Sequence, residues 1–131
     1  MRLFLDSNVW ISALAASGRC EELLRTCLGH HRTLTSNLVR DECLAVIERK
    51  LRARPEALAQ FVRLWTLAEC VADAAAETGS NDARLLAAAG AAGAELFVTG
   101  DRAVLELRQV QSLLIVSPRD AWLMLYPPSF S

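Results

Sequence analysis

The sequence predicts an α/β fold built on a central parallel sheet that helices cover on both faces. Two observations carry this. The apolar runs Leu3-Phe4-Leu5, Leu96-Phe97-Val98 and Leu113-Leu114-Ile115-Val116 are continuous rather than alternating, as in strands buried on both sides. Between them lie longer stretches with helical spacing, so that strands and helices alternate along the chain.

Taken in order, Arg2 to Leu5 reads as the first strand and Val9 to Ala16 as a helix broken by Ser17-Gly18. Glu21 to Leu28 is helical again and ends at Gly29; Arg32 to Thr35 is a weak second strand, and Ser36 starts a helix reaching about Leu51. Pro55 suits the first turn of the next helix, whose Leu58, Phe61, Val62 and Trp65 form a stripe expected to pack in the core. Thr78-Gly79-Ser80-Asn81 is the clearest loop, and Asp82 to Ala92 a helix closed by Gly93. Leu96 to Thr99 is a third strand, Gly100 a turn, Arg102 to Leu107 a short helix, Leu113 to Val116 a fourth strand, and a last helix follows Pro118. There is no repeat, linker or low-complexity segment.

A length of 131 residues, 53% of them hydrophobic and 22% charged, suits one globular domain spanning 1–131. A formal net charge of −1 supplies no global field for nucleic acid, so a local patch must carry any such binding. Cys20, Cys27, Cys43 and Cys70 lack CxxC spacing, fall in apparent helices and read as small hydrophobes of a reducing compartment. With no signal peptide and no apolar run of membrane-spanning length, a cytoplasmic location is expected. The pair His30-His31 reads as a surface loop.

Sites in such sheets form beyond the carboxyl ends of the strands, where Asp6 and Asp101 stand. Either alone is an ordinary helix cap. Two further acids point inward by spacing: Glu42 shares a helix face with Val39 and Val46, and Asp82 with Leu85, Leu86 and Ala89, whereas Asp41 and Glu48 read as solvated. Inward carboxylates need a counter-charge, and few basic residues lie near these positions. If the four converge, Mg²⁺ or Mn²⁺ is the natural partner of an all-oxygen set.

The stretches "LFLDSNVWISAL", "SNLVRDEC", "NDARLLAAAGAAGAELFVTGD" and "LLIVSPRDAWLML" resemble, in order and spacing, the PIN-domain nucleases, and among them the VapC-like toxins of bacterial toxin–antitoxin pairs. The resemblance spans nearly the whole chain. It implies a three-layer α/β/α sandwich and a metal-dependent endoribonuclease with one or two Mg²⁺ or Mn²⁺ ions, inhibited by an antitoxin protein. Carried over by position, Asp6, Glu42, Asp82 and Asp101 match the family's metal-binding, catalytic acids, while Ser7, Asn8 and Thr99 match polar residues that hold the site. Asn81 stands where relatives often carry another acid, which points to a weaker second metal site.

The phosphate-binding rim is expected either from the run Arg49, Lys50, Arg52 and Arg54, which equally suits a helix C-terminus, or from Arg84 and Arg102 beside the acids. The apolar end "AWLMLYPPSF" suits a docked helix with a short tail, or a surface buried by a second copy or by an antitoxin. Trp10 and Trp65 read as core. An aspartyl phosphatase or a receiver domain would want a lysine near the phosphate, and Lys50, the single lysine, lies in the wrong region. A PIN-like module that binds RNA or protein without cutting is the remaining alternative.

Overall fold

A computed structural model describes residues 1–126; the tail Pro127 to Ser131, part of the apolar C-terminal stretch, lies outside the described residues. Among the described residues six strands form one sheet: β1 (Arg2–Leu5), β2 (Arg32–Ser36), β3 (Glu69–Val71), β4 (Leu96–Val98), β5 (Gln109–Val110) and β6 (Leu113–Val116). They lie in the order β3-β2-β1-β4-β6-β5, all parallel except β5, which pairs antiparallel with β6. The helices are α1 (Ser7–Ala15), α2 (Arg19–His30), α3 (Asn37–Lys50), α4 (Glu56–Trp65), α5 (Asn81–Ala91), α6 (Arg102–Leu105) and α7 (Pro118–Leu125).

From β1 the chain steps outward to β2 and β3, then crosses back to β4 on the other side of β1. Right-handed crossovers in opposite directions put their helices on opposite faces. The result is a three-layer α/β/α sandwich, with α1 packed on α2, α3 and α4, α2 on α7, and α5 crossing back over β2. Order reverses between β1 and β4, so the turns leaving these two strands diverge and open a crevice at the sheet's carboxyl edge.

The central strands contribute the middle of the core. Leu3, Phe4, Leu5, Leu34, Leu96, Phe97 and Val98 are all buried, and Phe4 stacks on Phe97 with ring centroids 5.6 Å apart. Burial on both faces explains why these strands carry no alternation.

Five expectations change. The strands β3 and β5 were not legible, because Glu69-Cys70-Val71 and Gln109-Val110 lie at the two sheet edges and are largely exposed. Cys70 is therefore an exposed strand residue, whereas Cys27 and Cys43 are the buried helical hydrophobes expected. His30 ends α2 instead of lying in a loop. Pro55 immediately precedes α4. On α4 the inward row is Ala57 and Phe61 with part of Trp65, while Leu58 and Val62 are 48% and 53% exposed. That helix rests on the outside of α1 and α3, which is wide enough to cover only one row of side chains. Phe61 and Trp65 close around the fully buried Trp10, at ring centroids of 5.7 Å each.

Candidate functional site

The crevice at the strand-order reversal is built around Asp6. This residue directly follows β1, its N–H still donates to Val98 of β4 at 2.9 Å, and only 3% of it is exposed. Its Oδ1 accepts from the Ser7 N–H at 2.7 Å and, weakly, from the Ser7 hydroxyl at 3.4 Å, which caps α1. Its Oδ2 accepts from the Thr99 hydroxyl at 2.8 Å and from Asn8 Nδ2 at 3.2 Å. The capping role and a site role thus fall on different oxygens of one carboxylate.

Thr99 is fully buried and its hydroxyl is saturated: it donates to Asp6 and accepts from Asn8 Nδ2 at 3.2 Å and from the Asp101 N–H at 3.0 Å. Asn8 completes the link by accepting the Gly100 N–H on Oδ1 at 2.9 Å. The two turns that diverge from β1 and β4 are therefore tied together through Asn8 and Thr99, and the ties fix the spacing between Asp6 and Asp101.

Asp101 is half-buried and caps α6 through the Ala103 N–H at 2.9 Å. Asp82, in the first turn of α5, is exposed instead of facing the core as its stripe suggests; the buried row of that helix begins only at Leu85. Glu42 on α3 is half-buried, and its Oε1 is buried with no hydrogen-bond partner. Asp41 and Glu48 are exposed, as expected.

Asp6, Glu42 and Asp82 each feel a neighbouring carboxylate. Burial foremost, then repulsion from Asp82, pushes the Asp6 carboxyl up, against the lowering effect of its hydrogen bonds to Thr99 and Ser7. Burial, then Asp6, then Asp82, raises Glu42; burial, then Asp101, raises Asp82. Among the described residues none of the four is paired with an arginine, lysine or histidine. Nor do any three His, Cys, Asp or Glu side chains close into a ready-made metal cage. An all-oxygen set that includes the buried, unpartnered Glu42 Oε1 has the donor chemistry of a hard divalent cation that keeps waters of its own.

The basic candidates separate. In the run at the end of α3, Arg49 Nε donates to the Ala45 carbonyl one turn back at 3.4 Å, and Arg52 Nε to the Glu48 carbonyl at 3.0 Å, which satisfies a free carbonyl of the helix C-terminus. Arg54 Nη1 caps α1 through the Ala15 carbonyl at 2.7 Å. Lys50 is about 12 Å along the helix from Glu42, toward the opposite edge of the sheet. Arg84, two residues after Asp82, is half-buried and donates to the Ala74 carbonyl at 3.0 Å; Arg102 is exposed directly after Asp101. A separate apolar hollow of about 540 Å³ between α5 and the β5–β6 edge includes none of the four acids.

One contributor was missed. Asp73, in the connection after β3, accepts the Leu38 N–H on Oδ1 at 3.3 Å and so caps α3 from outside it. No sequence signal marks it, since the contact depends on β3, which was not legible.

Residues 3–111 match the sequence model of the family described as PIN domain. Among solved structures the chain is similar to VapBC2 from Rickettsia felis, crystallised bound to a DNA fragment from their promoter. The TM-score is 0.67 at 15% identity, over 89% of this chain and 98% of that chain. No curated protein matches it.

Proposed function

The chain belongs to the PIN-domain family, and on that premise we propose that it is a metal-dependent endoribonuclease, the toxin of a type II toxin–antitoxin pair. The observation that carries the reading is Asp6, nearly fully buried and accepting four hydrogen-bond contacts, in electrostatic reach of further carboxylates, while among the described residues no arginine, lysine or histidine is paired with Asp6, Glu42, Asp82 or Asp101. The antitoxin partner is supported by likeness of fold to a chain of the VapBC2 complex.

In this reading Asp6 and Asp101 would be the main holders of Mg²⁺ or Mn²⁺, and Glu42 and Asp82 would complete the site and orient the attacking water. Such a cation, when bound, supplies Lewis-acid neutralisation of phosphate charge and makes a coordinated water more acidic. The chain's own residues do the rest. Ser7 and Thr99 aim the two oxygens of Asp6, and Asn8 keeps the Asp101 turn in register with it. Glu42 and Asp82, each raised from its ordinary value by burial and then by neighbouring carboxylates, are the groups placed to take a proton from the water that attacks a phosphodiester. Arg102, and Arg84 within the limits of its existing hydrogen bond, supply the positive rim for the RNA backbone.

The test is cleavage of labelled single-stranded RNA by purified protein with Mn²⁺, with Mg²⁺ and with chelator, beside Asp6→Asn and Asp82→Asn. Metal-dependent cutting that falls by at least about 100-fold in both variants is expected. Cutting that survives either variant overturns the assignment, and tight RNA binding without any cutting favours the non-cleaving module.

A further inference from the structure

Ser36 ends β2 and directly precedes α3 in the N-cap position, where a serine hydroxyl ordinarily accepts a hydrogen bond from the helix's first turn. Here it makes none: the Leu38 N–H goes to Asp73 instead. Ser36 is 0% exposed and its hydroxyl has no partner at all. A buried hydroxyl relieved of its local duty by another residue needs a second explanation.

Its address supplies one. The parallel register pairs Arg2 with Arg32, Leu3 with Thr33 and Phe4 with Leu34, so continuing it sets Asp6 beside Ser36. On the other side Leu5 pairs with Val98, which sets Asp6 beside Thr99. Strand alternation then puts Ser36, Asp6 and Thr99 on one face, and Thr99 does donate to Asp6. Ser36 is the matching hydroxyl on the opposite flank. The buried acceptor without a partner nearest in kind is Glu42 Oε1, on the helix that Ser36 begins, and Glu42 is within electrostatic reach of Asp6. A glutamate in a helix leans back toward the N-terminus, which is the Ser36 end.

We propose that Ser36 is a positioning residue of the carboxylate cluster, its hydroxyl holding Glu42 Oε1 beside Asp6 through one bridging water, since the two groups make no direct bond to each other. Its metal-binding consequence rests on the nuclease reading above; the contact itself does not. The hydroxyls of Thr99 and Ser36 then fix Asp6 and Glu42 from both sides of β1. Thr33 serves as the control, because it too has a buried hydroxyl without a partner but its register neighbour is Leu3, on the other face.

The experiment follows the Glu42 side-chain carboxyl carbon by NMR at one fixed pH in metal-free full-length protein, the resonance being identified by its loss in Glu42→Gln. It should move in Ser36→Ala and stay in Thr33→Val. In parallel, Mn²⁺ affinity read by electron paramagnetic resonance should weaken about tenfold in Ser36→Ala, with no further loss when Ser36→Ala is added to Glu42→Gln. An unmoved Glu42 resonance overturns the proposal whatever the affinities do. A moved resonance in a protein that binds no Mn²⁺ upholds the contact and overturns the metal reading instead.

Discussion

At the scale of single residues the site depends on hydrogen-bond saturation more than on the presence of acids. Thr99 makes one donated and two accepted bonds inside a space closed to solvent, so replacing it by the isosteric valine leaves groups on Asp6, Asn8 and Asp101 each short of a partner. A lost bond to a charged group and two stranded donors should cost about 2 kcal/mol, because relaxation recovers part of the sum. Urea unfolding of Thr99→Val should show a lower midpoint at an unchanged slope; an unchanged midpoint would mean that the network carries no stability. Asp6→Asn is different in kind. Both Asp6 oxygens accept, and an amide offers only one acceptor, so either the Ser7 N–H or the Thr99 hydroxyl must lose its partner. Loss of activity there is interpretable only beside Asp82→Asn, whose exposed side chain can change without disturbing the core.

At the scale of elements, α4 shows what a sequence pattern can and cannot carry. Phe61→Ala should cost about 3 to 4 kcal/mol, since it opens a cavity against Trp10 and Trp65, whereas Leu58→Ser and Val62→Ser should stay within about 0.5 kcal/mol. Thermal unfolding of the three variants decides between one covered row and two. Helical spacing identified the helix but not how much of its apolar face a neighbour would cover. The central strands were legible because burial on both faces leaves only apolar choices, while β3 and β5, exposed at the edges, carry no such constraint. Likewise, Asp6, Asp82 and Asp101 could be placed because each follows a strand or opens a helix, and Glu42 by its helix face, but the depth of each could not: Asp6 is buried and Asp82 exposed. The ends of α3 and α6 yield a further prediction. Charge reversal at Arg102 should weaken RNA binding and flatten its salt dependence, whereas reversal at Lys50 and Arg52, at the far end of α3, should leave both unchanged in a filter-binding titration.

At the scale of the whole molecule the carboxylate cluster sets stability against charge. Asp6, Glu42 and Asp82 are all raised above their ordinary values, by burial first and by one another second. The folded state therefore binds protons more tightly than the unfolded state does, and the stabilisation from these groups is fully present only below the ordinary carboxylate range, at about pH 4. It is lost as pH rises through the raised folded values, where ionised acids repel inside a partly dry crevice. The contribution of the cluster in metal-free protein should thus fall with rising pH, and Glu42→Gln, which removes one of the repelling charges, should make the fall shallower. Differential scanning calorimetry of the two proteins in chelator across this range measures that difference directly; parallel curves would show that Glu42 does not titrate with the cluster. A divalent cation favours the ionised acids, so its stabilising effect should grow over the same interval and be small at its acid end. Because the three acids reach the crevice from β1, α3 and α5, such binding would clamp both faces of the sheet at once, and the cation's benefit should appear as a rise of one cooperative transition.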